Sequence, residues 1–131
     1  MINENHIIDF KSFLGRSLLS LLILCVINLE GSCTGYSLIK KISNMTDETL
    51  VLKAGTVYPV LESLKEDNLI FKELERAENK TKNGFRIRSV YKITNTGSEI
   101  LYKEWEKWEQ LQRILVVFTP KEKRVEQKNE N

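Results

Sequence analysis

The chain has few groups with which to do chemistry. Its 131 residues include one histidine, two cysteines and two prolines, and the formal net charge is only +2. The single histidine, His6, stands near the N-terminus, and no Cys-x-x-Cys pair occurs, so no metal site or histidine-based constellation is visible. No candidate nucleophile lies in a recognised motif with a base. An enzyme is therefore not expected, and no cofactor is implied. Long apolar runs are also scarce. The one strong run, Leu18 to Leu29, follows Lys11 and Arg16 and leads into Gly31-Ser32-Cys33, the order found in a lipoprotein leader. Against that reading stand Glu4 and Asp9 in the would-be basic segment and Glu30 where a small or aliphatic residue is needed. The run is also shorter than the ~20 residues that span a bilayer. It reads as a buried helix of a cytoplasmic protein with no membrane partner. Cys25 within it and Cys33 just after it are expected as reduced thiols rather than a structural disulfide.

A charge of +2 does not establish a nucleic-acid partner, but its distribution is uneven. Lys80, Lys82, Arg86, Arg88 and Lys92 fall in one segment that contains no acid, while the rest of the chain mixes signs. Apolar periodicity supplies the framework for that ribbon. Residues 1–11 form an N-terminal arm, and the Leu/Ile-rich stretch from Ser12 to about Asn28 is a first helix. Ser32 offers a cap to a second helix over about Thr34 to Ser43, with Tyr36, Ile39 and Ile42 at a spacing of three and Lys40 and Lys41 outward. Leu50 to Leu52 are expected as a short strand. A third helix follows to Asp67, burying Val57, Val60, Leu61 and Leu64. Proline alone would place its start at Pro59.

Leu69 to Leu74 and Phe85 to Ile93 are strand-like and flank a polar stretch from Glu75 to Gly84 with an Asn-Gly turn signal. In the second strand Phe85, Ile87, Tyr91 and Ile93 share one parity and Arg86, Arg88 and Lys92 the other, so one inward and one cationic face are expected. Thr94 or Thr96 caps a last helix that runs to about Phe118 before Thr119-Pro120. Its stripe of Leu101, Trp105, Trp108, Leu111, Leu115 and Phe118 needs another apolar surface. That surface is either a second copy of the chain or a flat aromatic effector stacking on the tryptophans. Residues 119–131 carry charge without periodicity and are expected to be a disordered tail.

Helix, turn, helix and basic ribbon form the plan of a winged helix-turn-helix. On three motifs the chain resembles the PadR family of transcriptional regulators. These are Gly35-Tyr36 opening the second helix, Gly55-Thr56-Val57-Tyr58-Pro59 opening the third, and Tyr91-Lys92-Ile93-Thr94-x-x-Gly97 between wing and last helix. The resemblance spans about Leu18 to Trp108 and moves the start of the third helix ahead of Pro59. Lys53 departs from it, since the family usually places a serine cap there. An ammonium cannot accept the free N–H groups, which forfeits ~1 kcal/mol of capping and leaves Lys53 as a candidate phosphate contact.

The resemblance implies an α+β, mostly helical fold: a winged domain over 12–93 and a dimerisation helix over 94–118. It further implies a homodimer that binds double-stranded DNA at an inverted-repeat operator, with repression as the family default. Tyr36, Lys40, Lys53, Gly55, Thr56, Tyr58, Lys80, Lys82, Arg86 and Arg88 are the candidate DNA contacts. The alternative is a winged-helix interaction module that docks on another protein and does not bind DNA.

Overall fold

The computed structural model describes residues 13–45, 52–79 and 84–120; the N-terminal arm, the C-terminal tail beyond Pro120 and most of the expected Leu50 to Leu52 strand lie outside the described residues. The elements are α1 (Phe13–Glu30), α2 (Gly35–Met45), α3 (Ala54–Glu66), β1 (Ile70–Asn79), β2 (Gly84–Ile93) and α4 (Asn95–Val117). They fall into two compact units, Met1–Leu101 and Tyr102–Asn131.

The first unit is a winged helix. Leu19, Ile23 and Ile27 of α1 meet Leu38 and Ile42 of α2, Val57, Leu61 and Leu64 of α3, and Ile70 and Tyr91 of the hairpin in one core. Leu52 is buried in the same core. Cys33 and Tyr91 exchange both backbone hydrogen bonds, at 3.2 and 2.8 Å, and so tie the α1–α2 turn to β2. Burial raises both thiols, Cys33 to about 11, where Glu30 adds to the desolvation and Lys41 partly offsets it. Such thiols are poor nucleophiles.

Each helix end has an identifiable cause. Gly31, at φ +84°, ends α1 in the left-handed conformation that glycine adopts freely. Thr34, not Ser32, caps α2: the Ser37 N–H donates to Thr34 Oγ1 at 3.0 Å and the Thr34 N–H to Ser37 Oγ at 3.1 Å. Asn68, at φ 60°, closes α3, with its N–H on the Lys65 carbonyl and the Leu69 N–H on the Leu64 carbonyl. Helix α3 starts at Ala54 and carries Pro59 inside it. Ahead of that proline, in the first turn, the Thr56 and Val57 N–H groups both donate to the Lys53 carbonyl, at 2.9 and 3.1 Å.

Thr94 caps α4. Its hydroxyl accepts from the Gly97 N–H at 2.8 Å and donates to the Asn68 and Leu69 carbonyls at 2.7 and 3.1 Å, locking the end of α3 to the start of α4. Thr94→Val keeps the shape and loses these bonds. It should cost about 1–2 kcal/mol, read as a lower denaturant midpoint at unchanged slope.

The wing differs from the expected one. Strand β1 runs to Asn79 through most of the stretch expected as loop, paired antiparallel from Ile70↔Ile93 to Asn79↔Gly84. Only the base of this two-stranded hairpin rests on helices. Phe85 and Ile87 are therefore 55% and 64% exposed rather than inward, while Val90, of the cationic parity, is 1% exposed beside buried Tyr91.

Candidate nucleic-acid interface

The start of α3 is open. Lys53 is extended (φ −113°, ψ 148°) and makes no side-chain cap, in contrast to Thr34 and Thr94 at the starts of α2 and α4. Gly55 has empty space where a Cβ would sit. Lys53 and Gly55 are exposed and Thr56 half-buried, so a small hydroxyl and a flexible cation stand at the positive end of the helix dipole. A cleft of about 380 Å³ beside them is lined by Arg16 and Ser20 of α1 and by Gly55, Thr56, Pro59, Val60 and Ser63 of α3. Arg16 is exposed and in no ion pair among the described residues. Its nearness to Thr56 could not be read from a sequence, where it appears only as a charge ahead of an apolar run.

Tyr36 and Lys40 lie on the exposed side of α2, with the ammonium 5.5 Å from the ring centre. Lys41 is held by Glu30 at 2.8 Å. Tyr58 is 41% exposed, but its phenol end is directed onto Gly35. The sequence motifs Gly35-Tyr36 and Gly55-Thr56-Val57-Tyr58-Pro59 are therefore joined in space.

The cationic ribbon is partly neutralised by its own partner strand. Opposite pairs of an antiparallel hairpin share a face, and this register sets Glu75 against Arg88 and Ala77 against Arg86. Arg88 donates through Nε and an Nη to one Glu75 oxygen, at 2.9 and 2.6 Å. Lys92 meets Glu73 at 3.1 Å. Over the two strands five bases stand against three acids. Arg86 makes no ion pair among the described residues, and Arg76 stacks on Phe85 at 3.8 Å. Lys80 and Lys82 lie outside the described residues.

The expected stripe on α4 divides. Leu101 is 5% exposed and belongs to the winged core, so it is not available to a partner or effector. In the second unit Trp105 is 45% and Phe118 74% exposed, with Leu111, Ile114, Leu115, Val116 and Val117 also exposed. Among the described residues no helix is long and apolar enough to cross a membrane.

The model of the PadR-like transcriptional regulator family matches residues 23–103. A transcriptional regulator from Clostridium thermocellum superposes with a TM-score of 0.68 at 27% identity, covering 83% of this chain and 97% of its own. A PadR-like transcriptional regulator from Bacillus cereus gives 0.68 at 23% identity, with 82% and 96% covered. A PadR-like transcription factor from Bacteroides fragilis gives 0.64 at 24%, with 83% and 97% covered, so these last two speak to the fold alone. No curated protein matches the chain. The three motifs lie inside the matched segment and make its structural joints, and the hairpin and helix order are those of the winged fold: the chain belongs to the PadR-like family of transcriptional regulators.

Proposed function

We propose that the protein is a sequence-specific DNA-binding repressor that acts as a homodimer on an inverted-repeat operator. The observation that carries this reading is the uncapped, sterically open start of α3, where Lys53, Gly55 and Thr56 meet Arg16 across a cleft. Backbone N–H groups, a helix dipole and two cations without ion pairs among the described residues suit phosphate and groove contact. A two-fold dimer places two such helices in successive major grooves, so half-sites should lie ~10 bp apart. Tyr36 and Lys40 on α2, with Lys80, Lys82, Arg86 and Arg88 on the wing, add backbone contacts. Trp105 and Trp108 are where a flat aromatic effector would stack, and quenching of their fluorescence would reveal one.

Selection of bound genomic fragments followed by footprinting tests the reading. Protection of paired half-sites is expected. A protein that stays dimeric yet retards no DNA would instead be the docking module.

Within this reading the wing contacts are unequal. Arg86→Gln should weaken binding to operator and random DNA alike and flatten the slope of log affinity against log salt by ~0.9, one phosphate's worth of released counterion. Arg88 already has Glu75 as a partner, an exposed pair worth only ~0–1 kcal/mol to the fold. Glu75→Gln should therefore leave stability nearly unchanged and tighten binding to random DNA severalfold. No change in affinity or salt slope from either substitution would remove the wing from the interface.

A further inference from the structure

We infer that Gly35 and Tyr58 form a spacer that sets the separation of α2 from α3 and thereby the fit of the recognition helix to its operator; this rests on the DNA-binding reading above. Glycine opening a helix weakens it, and Gly35 is not there for its backbone, since among the described residues only Gly31 and Asn68 have positive φ. The reason is space. A Cβ on Gly35 would lie 2.6 Å from Cζ and 2.8 Å from Cε1 of Tyr58, with the phenol oxygen closer still. Carbon atoms in contact keep ~3.5–4.0 Å apart. The tip of the ring therefore sits where a side chain would be, directly on the α2 backbone, and Gly35 is buried beneath it. With its hydroxyl on α2, Tyr58 is a positioning residue and leaves DNA contact to Lys53 and Thr56.

Because the colliding atoms are the far end of a half-exposed side chain, Gly35→Ala is relieved by swinging Tyr58 outward or by spreading the helices, not by unfolding. The Gly35→Ala protein should melt within about 5 °C of the parent and lose about tenfold in its preference for operator over random DNA, the equivalent of one base-edge contact. Tyr58→Phe keeps the ring and should retain that preference. Tyr58→Leu alone should reduce it, and Gly35→Ala with Tyr58→Leu should recover much of it, because the new methyl occupies the vacated space. Melting of the parent, Gly35→Ala, Tyr58→Leu and the double variant should show matching non-additivity in the absence of DNA.

Additive effects in both cycles would overturn the spacer. So would a Tyr58→Phe loss as large as that of Tyr58→Leu, which would place the hydroxyl on DNA. A parent that retards neither DNA while the melting cycle remains coupled would overturn the DNA-binding reading and leave the contact between helices intact.

Discussion

Gly97→Ala should be among the most damaging single-methyl additions to this protein, lowering stability by about 2–4 kcal/mol and the melting temperature by about 10 °C or more. The added Cβ would fall inside contact distance of the Leu69 carbonyl oxygen, 2.9 Å from its carbon and 2.8 Å from Ile93 Cγ1. That carbonyl cannot retreat freely, since it already accepts from the Thr94 N–H at 3.0 Å and the Thr94 hydroxyl at 3.1 Å. Relief must come from moving the start of α4, which also breaks the Gly97 N–H bond to Thr94 Oγ1. Overpacking of ~1–3 kcal/mol and a lost cap of ~1 kcal/mol then act together. Gly55→Ala supplies the contrast. Its Cβ meets open space in a helix, so it should stabilise by about 0.5–1 kcal/mol. Two glycine-to-alanine changes of opposite sign in one melting experiment are expected; equal shifts would mean that the close approach at Leu69 relaxes without cost.

Gly97 and Gly35 also show what a sequence can and cannot carry. Both stand in recognisable motifs, and the family resemblance located them, the third helix around Pro59 and the winged order of elements. What each glycine touches is a long-range fact. Gly97 meets Leu69, and Gly35 meets Tyr58, across elements whose approach is fixed only when the core closes. The wing was misread for a local reason. Glu73, Glu75 and Glu78 line a largely exposed strand in which no alternation of apolar and polar residues marks the part beyond Leu74, so Glu75, the acid that answers Arg88, reads as loop, whereas Glu73, which meets Lys92, lies within the expected strand. Val90 and Tyr91 are buried together because the strand leaves the helices just beyond them and Cys33 pairs at Tyr91. Thr34 and Thr94 were chosen over Ser32 and Thr96 by hydrogen bonds that composition cannot rank.

The second large effect concerns the α4 stripe and follows from the proposed dimer. Trp105→Glu with Leu115→Glu should leave the winged unit folded, turn the dimer into monomers in sedimentation, and weaken operator binding by about 10²–10⁴-fold. A linked pair of DNA-reading surfaces binds its second half-site at an effective concentration near millimolar, and that gain is lost when the link is cut. The physical ground is the apolar surface itself. Trp105, Leu111, Ile114, Leu115, Val116, Val117 and Phe118 are all 43% exposed or more in the single chain, and soluble monomers rarely leave patches of this kind beyond a few hundred Å². A self-complementary two-fold contact is the commonest way to cover one. Two controls isolate the cause. Leu101→Glu places a charge in the winged core and should unfold the domain rather than produce folded monomers. On a probe with a single half-site, the Trp105→Glu, Leu115→Glu protein should bind about as well per subunit as the parent, because Lys53, Gly55 and Thr56 are untouched. A parent chain that sediments as a monomer at micromolar concentration, or a doubly charged variant that remains a dimer with full operator affinity, would remove α4 from the interface and leave its exposed Trp105 to some other partner.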